Sequence, residues 1–142
     1  MFALRSLRVG FRCLFPGAST TPPLRPLLSL RAVSAAGAFV AFVTEGEECT
    51  LTVPEAAFDS WRLRKRATEV ARGLRAVTIE ASMPVDLVGF FAPVAERLAA
   101  ALIPIIPQCG FRTDHILVPA GRLDDAVRVL EGMVADARKA GS

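Results

Sequence analysis

Few residues in this chain could carry out catalysis. It has one histidine, His115, and three cysteines, Cys13, Cys49 and Cys109. A nucleophilic pair would need Cys109 and His115 on one face of the structure, and a structural zinc site would need four clustered soft ligands. No two cysteines have C-x-x-C spacing, and the chain has no glycine-rich phosphate loop. The sequence therefore predicts a protein that is not an enzyme and needs no metal or other cofactor.

A short sequence pattern occurs twice. It consists of a valine–proline pair, three further residues, and then a large apolar residue followed by aspartate; the copies span residues 53–59 and 118–124. Each copy closes an apolar run and opens a helix-like stretch, as expected where proline ends a strand. The recurrence predicts two related modules, residues 1–70 and residues 71–142.

The composition is that of a globular protein. Of the 142 residues, 52% are hydrophobic and 22% are charged. No apolar stretch reaches the roughly 18–20 uninterrupted residues needed to cross a bilayer. We therefore expect no membrane association.

The charge is distributed unevenly. Residues 1–44 hold five arginines and no acid, and the rest of the chain holds 12 basic and 14 acidic residues. The sequence predicts a cytoplasmic protein. A mitochondrial protein is the alternative, because an acid-free, arginine-bearing start is typical of a presequence.

The second half predicts a regular order of elements. These are a strand at 74–80, a loop at 82–89, a helix at 90–102, an irregular or edge strand at 103–108, a strand at 114–118 and a helix at 124–137. The strand at 74–80 alternates, with Val77 and Ile79 inward. The first helix turns Phe91, Val94, Leu98 and Leu102 inward, and Pro93 requires that helix to start close to Gly89. With a fourth strand supplied from elsewhere, this order gives a ferredoxin-like sandwich.

The first half is less regular. The patterns predict strands at 7–14, 38–43 and 49–53, the last two forming a hairpin, and a helix-like stretch at 55–72. The basic run at 62–66 is typical of a solvated helix face or linker, and a nucleic-acid patch is the alternative.

Three segments of the second half carry a family resemblance. Residues 76–80, 86–95 and 110–118 resemble the small tandem ACT-domain proteins, relatives of the CASTOR-type arginine sensors, and the likeness extends over about residues 38–138. It implies an α+β fold of two ferredoxin-like βαββαβ modules, with antiparallel sheets and helices on one face. It also implies a non-catalytic regulatory protein that binds a small effector, an amino acid, at the interface between modules. Its further partners would be a regulated protein or a second copy in a homodimer.

The resemblance also implies a binding site. Its residues are Asp86, Leu87, Val88, Gly89 and Asp114. Backbone N–H groups before the helix would receive an α-carboxylate, and glycine would let the backbone approach the ligand. The two aspartates would pair with an α-ammonium or a basic side chain such as that of arginine, although neutral amino acids also fit.

Each site residue has an alternative interpretation. Asp86 could be a helix N-cap, Asp114 could close a turn, and Gly89 could be a plain helix-start glycine. The chain also departs from the family pattern at four positions, Leu102, Pro104, Pro107 and Arg112. These departures predict either a specificity different from that of relatives or a lost site.

Two other classes of function compete with this interpretation. One is a ligand-free structural or oligomerising module, whose open sheet edges another chain would cover. The other is an RNA-binding α+β module, which the strand at 114–118 disfavours because it lacks the sheet-borne aromatic residues that stack on bases.

Overall fold

The computed structural model describes residues 3–7, 11–15, 39–45, 48–65, 67–80, 88–111 and 113–140. The chain divides into two compact units, residues 7–74 and residues 1–6 with 75–142. We call these the early unit and the late unit. Residues 1–6 thus join the late unit, although the sequence pattern grouped them with the first half.

The described residues form eight strands and three α-helices. The strands are β1 (Ala3–Leu7), β2 (Phe11–Phe15), β3 (Ala41–Glu45), β4 (Glu48–Val53), β5 (Glu69–Ala71), β6 (Leu74–Glu80), β7 (Ile106–Cys109) and β8 (Asp114–Pro119). The helices are α1 (Glu55–Ser60), α2 (Phe91–Ala100) and α3 (Leu123–Ala140), with 3₁₀ turns at Leu63–Lys65 and Ala120–Arg122. None of the helices in the described ranges has the length and apolar character needed to span a membrane.

The late unit has a four-stranded sheet in the order β1-β6-β8-β7. The elements from residue 74 onward follow the chain as β6, α2, β7, β8 and α3, and β1 takes the position of the fourth strand beside β6. This is the ferredoxin-like arrangement. The predicted α+β fold is confirmed, and the strand supplied from elsewhere is the N-terminal one.

The core of the late unit lies between one face of this sheet and the two helices. Its fully or nearly fully buried members are Val77, Ile79, Val94, Leu98, Ile103, Ile116, Val118, Ala126 and Leu130. They recur at alternate positions of β6 and β8 and at helical spacing on α2 and α3. Burying each of the larger side chains contributes roughly 1.5–3 kcal/mol. The inward positions predicted for β6, and Val94 and Leu98 on α2, are confirmed.

The end of α2 differs from the prediction. The helix stops at Ala100, and Leu102, predicted to face inward, is 82% exposed. Leu102 has φ +55°, its N–H donates to the carbonyl of Ala99, and the N–H of Ile103 donates to that of Leu98. This pair of bonds is a Schellman motif, which places a left-handed residue after the helix. Ile103 packs against Leu98 in the core instead.

Strand β7 lies at an edge of the late sheet, as its prolines predicted. It pairs antiparallel with β8, and Pro107 stands opposite Ile116. Proline is tolerated at a sheet edge because an edge strand has one side that needs no ladder hydrogen bond. The edge-strand prediction is confirmed.

The early unit has a four-stranded sheet in the order β3-β4-β2-β5. The predicted hairpin is confirmed, since β3 pairs antiparallel with β4. Strand β2 pairs antiparallel with both β4 and β5. The single strand predicted at 7–14 is replaced by β1 and β2, which join different sheets; residues 8–10 between them lie outside the described ranges.

The helix predicted at 55–72 is much shorter in the structure. α1 ends at Ser60, and Arg62 follows with φ +53°, which stops helical propagation. A 3₁₀ turn and strand β5 then complete the segment. The early core contains the buried side chains Leu51, Val53, Ala57, Phe58 and Leu63.

Both copies of the repeated pattern have the same local structure. Pro54 (φ −57°, ψ 144°) follows β4, and Pro119 (φ −57°, ψ 139°) is the last residue of β8; each directly precedes a helical segment. Their extended backbone and missing N–H end the strand and suit the start of a helix. The predicted strand-to-helix switch is confirmed at both places.

Candidate functional site

One end of the late sheet brings the start of β8 next to the end of β6. The hydroxyl of Thr78 on β6 lies 2.9 Å from Nδ1 of His115 on β8, and these strands are neighbours in the sheet. Arg122, which follows the other end of β8, donates hydrogen bonds to the carbonyls of Ala101 and Leu102 at the end of α2. The start of α2 therefore lies at the same end of the sheet as Asp114. We call this end of the sheet the upper end of the late unit.

Asp114 lies on the face of the sheet that carries the helices. Ile116 and Val118 belong to the core beneath α2 and α3, and side chains alternate along a strand. Asp114, two residues before Ile116, therefore shares their face. Cys109 stands opposite Asp114 in the antiparallel register and lies on the same face. Asp114 and the start of α2 thus share both a face and an end of the late unit.

The start of α2 is open to solvent, and its N-cap residue supplies no capping side chain. Val88 is 94% exposed, and Gly89 is exposed with φ +81°. A Cβ at Gly89 would meet no atom within 4 Å, so the backbone angle and not space favours glycine there. Phe90 occupies the N-cap position without a side-chain hydrogen bond, and the first turn holds no acid. The positive end of the helix is therefore not neutralised by side chains of its first turn.

Three of the five predicted site residues can be placed. Val88 and Gly89 precede α2. Asp114 is the first residue of β8 and lies on the sheet face that carries α2. Asp86 and Leu87 lie outside the described ranges. The N-cap position of α2 belongs to Phe90. Asp114 is part of strand β8, and the turn between β7 and β8 is closed by a hydrogen bond from the N–H of Gly110 to the carbonyl of Thr113.

Cys109 is a neighbour of Asp114 that sequence reasoning did not assign to the site. Burial raises the pKa of the Cys109 thiol, and the charge of Asp114 and a hydrogen bond to it raise that pKa further. The thiol is therefore held in its protonated form, which disfavours a nucleophilic role. The short connection between residues 109 and 114 could have indicated this contact, because a hairpin places the two ends of its turn side by side.

His115 lies on the opposite face of the sheet from Asp114. Its Nδ1 contacts the hydroxyl of Thr78, and its Nε2 lies 3.5 Å from the hydroxyl of Thr113. Burial lowers the pKa of His115, while the charge of Asp114 partly opposes that shift. A pair of Cys109 and His115 is not formed, since the register places them on different faces. In the described part of the chain, no three histidine, cysteine or acidic side chains are grouped so as to hold a metal ion.

The late unit thus has the ferredoxin-like α/β fold of ACT domains, with an exposed helix start and an acid at one end of its sheet. Residues 69–132, just under half of the chain, match the sequence model of the ACT domain. No curated protein sequence matches this chain.

Solved structures share the fold over nearly the whole chain. The aspartokinase alpha and beta subunits match with a TM-score of 0.66 and 19% identity, covering 92% of this chain and 92% of that chain. Protein Atu0741 from Agrobacterium tumefaciens matches with a TM-score of 0.63 and 19% identity, covering 91% of this chain and 86% of that chain. The ligand-free regulatory subunit of aspartate kinase from Thermus thermophilus matches with a TM-score of 0.59 and 13% identity, covering 92% and 95%. At these identities the likeness establishes the fold alone.

Proposed function

We propose that this chain is a non-catalytic regulatory protein that binds a free amino acid at the upper end of the late unit. The observation that carries this proposal is the shared placement of Asp114 and the exposed start of α2 on one face and at one end of the sheet. The match of residues 69–132 to the ACT domain supports it, because ACT domains as a family bind small effectors, often amino acids.

The charges at this end suit a zwitterion. The α-carboxylate would accept hydrogen bonds from backbone N–H groups at the start of α2, where the helix dipole is positive. The α-ammonium, or a cationic side chain, would pair with the carboxylate of Asp114. The left-handed backbone of Gly89 would keep the approach to α2 free of a side chain. Both ends of an amino acid would thus meet a group of opposite sign.

A second part of the proposal concerns the early unit. Read from its β7 edge, the late sheet has the order β7-β8-β6-β1. The early order, β3-β4-β2-β5, matches it position by position, so that β2 corresponds to β6 and β5 to β1. Pro54 and Pro119 occupy matching strand-to-helix positions in the two sheets. We infer that the early unit is a second ACT-like module, so that the protein is a tandem repeat.

A thermal-shift screen against the twenty amino acids tests the binding proposal. A specific effector should raise the melting temperature progressively with its concentration, since it binds only the folded state. The variant Asp114→Asn should lose most of the shift. Asp124→Asn, the same change at an exposed acid on α3, should keep it. If no amino acid stabilises the protein, or if Asp114→Asn responds like the wild type, the effector site is not the one proposed; the first outcome would favour a ligand-free module.

The proposed location of the protein is the cytoplasm, with mitochondria as the alternative. A fusion of residues 1–35 to a fluorescent reporter tests this. A reporter that stays diffuse supports the cytoplasm, and one that collects in mitochondria supports the alternative.

A further inference from the structure

The early unit carries a cluster of exposed cations next to the end of α1. Arg62, Arg64 and Lys65 are all exposed, and Leu63 between them is only 5% exposed and belongs to the early core. The next residue of the sequence, Arg66, is also basic but lies outside the described ranges. We call Arg62, Arg64 and Lys65 the basic cluster.

The backbone of this segment is fixed by hydrogen bonds. The N–H of Arg62 donates to the carbonyl of Asp59 at 3.1 Å, and the N–H of Ala67 donates to the carbonyl of Leu63 at 3.0 Å. The buried side chain of Leu63 packs in the early core and holds the same segment against it. The three cations are therefore presented by an ordered turn, and a partner would not have to order this backbone on binding.

The basic cluster differs from four other arginines of the described ranges, which form ion pairs. Four arginines pair with aspartates at 3.0–3.2 Å; these are Arg72, Arg97, Arg122 and Arg128. Within the described ranges, none of the three side chains of the basic cluster forms an ion pair. Their charge is thus available to an external partner.

We propose that the basic cluster is a docking surface for an acidic segment of a partner protein. The cluster is short, and along the chain it is flanked by the exposed acids Asp59 and Glu69. An extended phosphate backbone needs a longer positive track, whereas two or three carboxylates are matched by three neighbouring cations. The chemistry therefore favours an acidic peptide over a nucleic acid. In a regulatory protein, such a surface would hold the regulated partner.

Fluorescence anisotropy with a labelled oligoglutamate peptide tests the proposal on the full chain. The peptide should bind, and its affinity should fall as salt rises from about 50 to about 300 mM, because exposed charges are screened over a shorter distance. Lys65→Glu should weaken binding several-fold, and the double variant Arg64→Glu/Lys65→Glu should weaken it about tenfold. Lys139→Glu, which reverses an exposed charge on α3 of the late unit, is the matched control and should bind like the wild type.

Three outcomes would overturn the proposal. These are no binding of the peptide, equal losses in Lys65→Glu and Lys139→Glu, and tighter binding of a single-stranded oligonucleotide of the same net charge. The neutral variant Arg64→Gln/Lys65→Gln guards against misfolding, because it should also lose affinity while unfolding like the wild type. The amino-acid thermal shift should be unchanged in all of these variants, so failure of the docking surface and failure of the effector site give different results.

Discussion

The guanidinium of Arg122 closes the C-terminal end of α2 by donating a hydrogen bond of 3.1 Å to the carbonyl of Leu102. It also donates to the carbonyl of Ala101 at 3.0 Å, and its Nε pairs with Asp125 at 3.0 Å. A cation at this position faces the negative end of the helix dipole and satisfies carbonyls that the helix leaves open. One side chain thus connects the end of α2 with the start of α3.

Removing this connection should destabilise the protein. We expect Arg122→Ala to lower the free energy of unfolding by about 1–2 kcal/mol, the value of charge-assisted hydrogen bonds reduced for partial exposure. Urea unfolding would measure the loss. Arg122→Lys is the control and should recover only part of it, because lysine lacks the planar fork that reaches both carbonyls and Asp125. A loss no larger than that of Arg128→Ala, whose side chain contacts Asp125 but neither carbonyl, would contradict this role.

The conformation of Leu102 should be a site where the protein can be made more stable. A residue with a Cβ pays roughly 1–2 kcal/mol to adopt the left-handed region, and glycine costs roughly 0.5–1 kcal/mol of additional chain entropy. Leu102→Gly should therefore raise the free energy of unfolding by about 0.5–1 kcal/mol. Because the side chain of Leu102 is already exposed, removing it loses little buried apolar surface.

The control for this change is Leu102→Ala. Alanine removes the exposed side chain but keeps the Cβ, so its unfolding midpoint in urea should stay close to that of the wild type. Equal stabilisation by both variants would show that the side chain, and not the backbone angle, is unfavourable.

The apolar periodicity of the late unit was sufficient to predict its fold. Alternation in β6 and helical spacing in α2 identified Val77, Ile79, Val94 and Leu98, because burial of one face imposes those periods. The position of Leu102 could not be predicted in this way. It continues the helical spacing of Val94 and Leu98, but the left-handed turn after Ala100 takes it out of the core.

The fourth strand of the late sheet and one neighbour in the candidate site are not encoded by local sequence patterns. The residues of β1 join the late sheet across more than sixty positions of chain, and no local pattern encodes such a long-range pairing. Asp114 and Gly89 were selected by resemblance, and the register of β7 with β8 supplied the neighbour, Cys109. Cys109 was missed because strand register depends on the turn between residues 110 and 113.

Strand β1 should contribute to the stability of the late unit. Removing residues 1–7 would leave one edge of β6 without its partner strand. Hydrogen exchange should then show faster exchange of β6 amides than in the full chain, while the amides of β3 and β4 in the early unit change less. Removal of residues 141–142 is the control and should leave β6 protected. Unchanged protection of β6 after the N-terminal deletion would contradict the assigned strand order.

The pair of Asp114 and Cys109 should be visible in the reactivity of the thiol. Asp114→Asn removes the charge that raises the pKa of Cys109, so the thiolate should form at lower pH and alkylation by iodoacetamide should accelerate. Mass spectrometry of the peptide containing Cys109 would follow its rate as a function of pH. Cys49, whose pKa is raised by burial alone, is the internal reference and should not respond. An unchanged pH profile for Cys109 would show that Asp114 does not act on the thiol.

His115 should make the stability of the protein depend on pH near neutrality. Burial lowers its pKa below the usual 6.5, so the folded state binds fewer protons than the unfolded state as pH falls below that value. The free energy of unfolding should therefore decrease from about pH 6.5 downward and level off below the folded pKa of His115, since both states are then protonated. His115→Asn keeps a side chain able to contact Thr78 but does not titrate, and its urea midpoints should lack this slope. A wild type whose stability rises as the solution is acidified through this window, or a variant with the same slope as the wild type, would show that His115 is not the group responsible.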